Sequence, residues 1–244
     1  MSRIIPNISV DCVIFGFDFN QLNVLLVERK LIDEKSNKVL IDDWTLTGYH
    51  IFEDEDFDTA AARILKKMSG LDNIYLEQFY AFGGVKRVNS PKDMLWLQNQ
   101  SEGFSERIVT VGYFSLIDNT TVTLSLKERN VKWFPISNLP TMGFDHREIL
   151  EKALERLRAK LRSEPIGFEL LPEKFTITQL QRLYEEVLGT TLDRRNFRKK
   201  VLQMKYVIPL DEKQKGVKHK PAQLFIFSRE VYEKTKTERF DFSI

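Results

Sequence analysis

The 244-residue sequence predicts an α/β domain followed by a winged helix-turn-helix. Three observations carry this. Up to about residue 145, strand-length runs of β-branched and aromatic residues are interrupted by a single amphipathic helix. Beyond that point the order is helix, helix, turn, helix, hairpin. The charge changes sign at the same place: residues 1–145 carry 15 Lys+Arg and 20 Asp+Glu, whereas residues 146–244 carry 22 and 15.

Taken in order, ISVDCVIFGFD and NVLLVERK flank the turn-prone FNQL and read as a hairpin, while EQFYAFGG, RIVTVGYFSLI and VKWFPI read as further strands. In DFDTAAARILKKMSGL, Phe57, Ala60, Ala61, Ile64, Leu65 and Met68 recur at helical spacing, and Gly70 stands where a C-terminal cap belongs. DHRE then offers Asp145 as N-cap with Glu148 three residues on. Ile149, Leu150, Ala153, Leu154, Leu157 and Leu161 make one apolar stripe of a helix ending near Ser163, before Pro165. This helix divides the chain into residues 1–145, a linker helix at 146–164, and a C-terminal domain at 165–244.

Thr178 and Gln181 have the spacing of a capping box, opening a helix whose Leu180, Leu183, Tyr184, Val187 and Leu188 face inward and which ends at Gly189. A short turn leads to DRRNFRKKVLQMK. YVIPL and AQLFIFS, on either side of the polar DEKQKGVKHKP, complete a hairpin with a long tip.

Composition removes several classes of function. Cys12 is the only cysteine, so neither an intramolecular disulfide nor a C-x-x-C metal knuckle is available, which fits the cytoplasm. No apolar run reaches the roughly 18 residues of a membrane span, so no membrane association is expected. Pro6, Asn7 and Asp11 break the first segment and deny it the apolar region of a signal peptide. Between Arg194 and Lys220 ten Lys+Arg face two acids, Asp211 and Glu212, which reads either as a solvated surface or as a footprint for phosphates.

The segment LTGYHIFEDEDFDTAAARILKKMSGL resembles the Nudix box. In that family a Leu-Pro-Gly-Gly turn precedes a glutamate, and a helix then reads Arg-Glu-apolar-x-Glu-Glu-x-Gly-apolar. Without a gap, Glu55, Arg63, Gly70 and Leu71 fall on the family's glutamate, arginine, final glycine and apolar position. The three helical glutamates that bind metal in the family fall on Ile64, Lys67 and Met68. An aliphatic chain and a thioether are poor ligands for Mg²⁺, and an ammonium repels it, so neither a metal nor a cofactor is expected and no catalytic residue is assigned. The acids Glu53, Asp54, Glu55 and Asp56 read as a solvated face rather than a replacement site.

A Nudix-like domain followed by a winged helix is the architecture of the Nudix-related transcriptional regulators, which RIVTVGYFSLI, FDHREILEKALERLR, FELLPEKFTITQLQRLYEEVLG and LDRRNFRKKVL also resemble, in that order. The resemblance implies a Nudix-like α/β/α sandwich with a mixed sheet and a homodimer on palindromic double-stranded operator DNA. It also implies a cleft that binds an effector instead of cleaving a substrate. Thr47 and Tyr49 replace Pro and Gly in the turn, which should narrow a path for pyrophosphate. That favours a small sugar such as L-arabinose, and a repressor of sugar catabolism. The alternatives are an ADP-ribose-responsive regulator of NAD metabolism, or a divergent Nudix hydrolase with a DNA-binding appendage.

Candidate effector contacts are Trp44, Tyr49, His50, Glu55 and Arg87, an aromatic platform with polar groups for hydroxyls. In the basic helix, Phe197, Val201 and Met204 share one face, leaving Arg195, Asn196, Lys199 and Gln203 on the other, with the chemistry to read base edges. Arg194, Arg198 and Lys200 flank them and suit phosphates. Lys213, Lys215, Lys218, His219 and Lys220 fall in the hairpin and its tip, as a wing that grips the backbone.

Overall fold

In a computed structural model of the chain, the described residues are 3–70, 74–88, 90–100, 105, 107–119, 130–217 and 220–235. The elements run β1 (Ile4–Phe17), β2 (Leu22–Ile32), β3 (Val39–Thr45), β4 (Thr47–Phe52), α1 (Phe57–Ser69), β5 (Leu76–Phe82), α2 (Pro91–Gln100), β6 (Val109–Asp118), β7 (Val131–Pro135) and α3 (His146–Ser163). A 3₁₀ turn at Pro165–Leu170 follows. Then come β8 (Lys174–Phe175), α4 (Ile177–Leu188), α5 (Arg194–Gln203), β9 (Val207–Lys213), β10 (Gln223–Phe227) and α6 (Arg229–Thr235). The chain divides into two compact units; the last change between them falls inside α3, between Glu155 and Arg156, and residues 17–22 and 117–119 are grouped with the second unit.

The first unit is built on a seven-stranded mixed sheet in the order β3-β2-β1-β6-β5, with β4 pairing β1 and β7 pairing β2. Its centre reads as a continuous apolar run: Val10 and Cys12–Phe15 in β1, and Val24–Val27 in β2, are almost fully buried. α1 packs on β4. Its ends form for local reasons. The Asp56 carboxylate accepts from Thr59 N–H at the start, and Gly70, at φ 74°, donates its N–H to Lys66 O at the end. Ala60, Ala61 and Ile64 join Val10, Cys12, Val27, Ile51, Val111 and Tyr113 in one cluster. Burying an Ile side chain of this kind contributes roughly 1.5–3 kcal/mol.

Three elements here go beyond what the sequence pattern predicts: β3, β4 and α2. The segment expected to form a turn at Thr47–Tyr49 is strand instead, with Cys12 opposite Thr47, Asp11 opposite Gly48 and Val10 opposite Tyr49. Gly48 is required there, because a Cβ would stand 2.0 Å from Asp11 Oδ1.

In the second unit α4 and α5 pack together, and β8-β10-β9 form a small antiparallel sheet. Leu180, Leu183, Tyr184 and Val187 of α4 are buried with Phe197 and Val201 of α5, and the Tyr184 and Phe197 rings lie 5.7 Å apart. The capping box belongs to Thr176 and Gln179, two residues before the expected pair. Gln181 instead braces the chain beyond the helix. Its amide donates to Glu185 Oε1 and to Leu192 O, while Leu192 N–H donates to the same Glu185 carboxylate. The turn between the two helices is thereby fixed. β9 continues to Lys213, further than the apolar run YVIPL suggested, and pairs with Gln223.

Candidate effector cleft and nucleic-acid interface

At the start of α1, Glu55 and Arg63 are brought together as a two-point ion pair. Arg63 Nη2 donates to Glu55 Oε2 at 2.7 Å and Nε donates to Oε1, while Phe52 N–H donates to Oε2 and Arg63 also reaches His50 O. The Arg63 hydrogen bonds hold the Glu55 carboxyl below its ordinary range. This pair ties the loop before α1 to the helix and to β4.

The positions where a Nudix enzyme holds metal do not fit a divalent cation. Ile64 is fully buried in the core, and the Lys67 ammonium lies 5.5 Å from the centre of the Tyr49 ring. The Met68 side chain lies outside the described part. Of the neighbouring acids, Asp56 caps α1 and Glu55 is taken by Arg63. No group of three or more His, Cys, Asp or Glu side chains that could hold a metal is present among the described residues.

Above β4 lies a cleft lined by Asp11, Tyr49, His50, Arg87, Trp96, Phe144 and His146, with Glu28, Ile108 and others at its sides. Tyr49, His50 and Arg87 from the candidate set therefore meet in one place. Trp44 does not line it. That ring is half-buried against Phe134, 4.6 Å away, and the rings that line the cleft beside Tyr49 are those of Trp96 and Phe144. Glu55 also lies outside the lining and acts on Arg63 as described.

Arg87 has a side chain only 7% exposed. Its Nε and Nη2 each donate at 2.8 Å to the Asp145 carboxylate, and Nη2 lies 3.5 Å from Asp11 Oδ2. Asp145 precedes α3 as expected, but both its carboxylate oxygens accept from Arg87. His146 Nδ1 accepts from Leu46 N–H at 3.0 Å, so the proton of the neutral ring sits on Nε2, 3.6 Å from Asp11 Oδ1. Burial lowers the pKa of His146, and that of His50, below the usual histidine range.

A second buried cluster supports the same wall. Arg29 is 1% exposed and is gripped by Asp43 at 2.6 and 2.7 Å and by Asp93 at 2.5 Å. Asp93 also accepts from Phe144 N–H, and the Phe144 ring covers the guanidinium at 4.6 Å. Gly143 permits the approach, since a Cβ there would lie 2.3 Å from Arg29 Nη2. Phe144 itself is held at φ 55°, a conformation costly for a bulky residue. Sequence pattern gives no sign of Arg29, Asp43 and Asp93 as a group, because only the pairing of β2 with β3 and the presence of α2 bring them together.

In the second unit, the Asp193 side chain accepts from Asn196 N–H and starts α5. With Phe197 and Val201 buried, Arg194, Arg195, Asn196, Arg198, Lys199 and Gln203 are exposed and Lys200 is half-exposed. Met204, expected on the buried face, is half-buried and closes the helix. Lys213, Lys215 and Lys220 are exposed on the hairpin, while Lys218 and His219 lie outside the described residues. Among the described residues of α5 there is no acid, and the helix presents a continuous cationic face.

The two sites define a class: a Nudix-type domain stripped of its metal-binding acids, in one chain with a basic winged helix. Residues 6–153 match the NUDIX domain and residues 167–227 the NrtR DNA-binding winged helix domain. The chain is 30% identical over 233 residues to the ADPR responsive transcriptional repressor NtrR of Acinetobacter baylyi, covering 93% of this chain and 84% of that protein. The crystal structure of Shewanella oneidensis NrtR complexed with a 27mer DNA is similar with a TM-score of 0.68 and 28% identity, covering 96% of this chain and 97% of that one. A MutT/nudix family protein from Enterococcus faecalis, 22% identical with a TM-score of 0.64 over 92% of this chain and 88% of its own, shares the fold. The chain belongs to the family of Nudix proteins that carry an NrtR-type winged helix.

These relatives correct the expected subgroup, which is not that of the arabinose regulator. The structure removes half of the reasoning behind that inference: Thr47 is fully buried in β4 opposite Cys12 and does not line the cleft, so its replacement of proline says nothing about the size of the ligand, whereas Tyr49 does line it.

Proposed function

We propose that the chain is a transcriptional repressor that binds operator DNA through α5 and the β9–β10 wing and senses ADP-ribose in the cleft of its Nudix domain. The observation that carries this reading is the alignment of both domains, in order, with the ADPR responsive repressor over 93% of the chain. Chemistry of the cleft agrees with it. Tyr49, Trp96 and Phe144 offer aromatic faces for a base, and Arg87 offers a guanidinium fork for a diphosphate. Arg195, Asn196, Lys199 and Gln203 face base edges, and Arg194, Arg198, Lys200 and the wing lysines face phosphates.

The protein does not turn its ligand over, because Ile64 and Lys67 replace two of the carboxylates a Nudix hydrolase uses to hold metal. It works as a homodimer on a palindromic site, the arrangement two winged helices need to address two half-sites. A duplex selected from random-sequence DNA for binding to the protein tests the reading. Its affinity should fall steeply with salt and change about 5–150-fold when ADP-ribose is added. Unchanged affinity with ADP-ribose, or cleavage of ADP-ribose with Mg²⁺ well above background, would exclude it.

A further inference from the structure

The start of α3 is held in part by groups that line the cleft, Asp11, Leu46 and Arg87. Phe144, Asp145 and His146 are consecutive, and each is secured by a different partner: Phe144 N–H by Asp93, the Asp145 carboxylate by Arg87, and the His146 ring by Leu46 N–H and Asp11. Arg87 is the one cation among these contacts that faces the cleft. Buried as it is, its charge is balanced by Asp145 at two points and by Asp11 more distantly. A guanidinium in this position has one fork to give, and a diphosphate matches that fork as well as a carboxylate does.

A diphosphate entering beside Asp11 while Arg87 remains bound to Asp145 meets a carboxylate against one already neutralised cation. Turning the fork toward the ligand removes that opposition and leaves Asp145 without its partner. Phe144, strained at φ 55°, depends on its surroundings to hold that conformation. Loss of the Asp145 anchor next to it therefore shifts the whole Phe144–His146 segment, from which α3 continues as a single helix to Ser163.

We propose that Arg87 is a latch: a diphosphate-bearing ligand in the cleft takes its guanidinium from Asp145 and thereby releases the first turn of α3. The proposal rests on the effector reading above only for the ligand's identity. Asp145 is thus a residue that weakens effector binding, the reverse of what a merely structural residue would do.

The test is calorimetric titration of the full-length protein with ADP-ribose, inorganic diphosphate and ribose, repeated on Asp145→Asn and Arg87→Ala, with hydrogen exchange followed at the amides of residues 144–148. Asp145→Asn should bind a phosphate-bearing ligand at least about 5-fold more tightly than the parent, Arg87→Ala should lose diphosphate, and exchange at 144–148 should speed up when ligand binds. Diphosphate behaving in this way while ADP-ribose does not bind would sink the effector reading and leave the latch standing. Binding of diphosphate by Asp145→Asn alone would also support it, as a latch closed in the parent. Equal or weaker binding by Asp145→Asn, diphosphate retained by Arg87→Ala, or no phosphate bound by any form overturns the proposal. Should Asp145→Asn not fold, exchange in the parent decides: unchanged or slower exchange at 144–148 on ligand binding refutes the latch.

Discussion

The cleft and the α5 face are built in opposite ways. The cleft and the buried clusters behind its wall draw Asp11, Arg29, Asp43, Arg87, Asp93, Asp145 and His146 from distant parts of the chain and bury nearly all of their charge. The α5 face takes its cations from one ten-residue helix and leaves Arg194, Arg195, Arg198 and Lys199 exposed, with Lys200 half-exposed, supported by two buried side chains, Phe197 and Val201. Charges of the first kind are part of the fold, because each would be costly without its partner. Exposed charges of the second kind contribute little to the fold.

Substitutions can break this contrast. Arg29→Ala leaves Asp43 and Asp93 buried without their cation, and urea unfolding should show a loss of about 3–5 kcal/mol. A loss below about 1 kcal/mol would mean that the cluster is not structural. The Arg195→Ala, Lys199→Ala double variant should do the opposite. Its unfolding should stay within about 0.5 kcal/mol of the parent's, while operator binding weakens at least about tenfold, at about 1–3 kcal/mol for each side chain withdrawn from a base edge. Retained operator affinity would remove α5 from the interface.

Acidity provides a third probe. The buried His146 has a pKa lowered chiefly by desolvation, so below about pH 6.5 the unfolded chain binds a proton there that the folded protein does not. Stability therefore falls as the pH drops below that point, with a contribution of at most about 1.4 kcal/mol per pH unit from this ring. His146→Gln, compared with the parent by urea unfolding at about pH 7.5, 6.0 and 5.0, should show a shallower loss; parallel curves would place the titration elsewhere. The smallest effect belongs to the cap of α4. Thr176→Ala removes an N-cap acceptor and should lower the urea midpoint by an amount worth about 1 kcal/mol, whereas Thr178→Ala should cost less.

The same contrast explains what could be read from the sequence. A helix shows its two faces in its own period, so the buried Phe197 and Val201 and the exposed cations around them were legible, as was the core face of α1 with Ala60, Ala61 and Ile64. The Glu55–Arg63 pair was visible because a gap-free register fixed both residues. The cleft was only partly legible. Tyr49 and His50 lie beside that register and Arg87 was among the candidate contacts, but nothing in the sequence tied Arg87 to Asp145, which looked like a helix cap. Trp96 sits on α2, a helix with only a weak apolar period, and Arg29 gains its meaning only when β2 pairs with β3. Capping boxes repeat easily in a sequence such as FTITQLQ, where Thr176 and Thr178 each have a glutamine three residues on. Tertiary packing selected the first.

Under the proposed function the cleft is occupied by its ligand and does not consume it. One trace tests this most directly: the fluorescence anisotropy of a labelled operator bound to the protein, followed for hours after ADP-ribose is added in the presence of Mg²⁺. A prompt change that then holds steady is the predicted result. A change that decays back as ADP-ribose is used up, or no change at all, would contradict it.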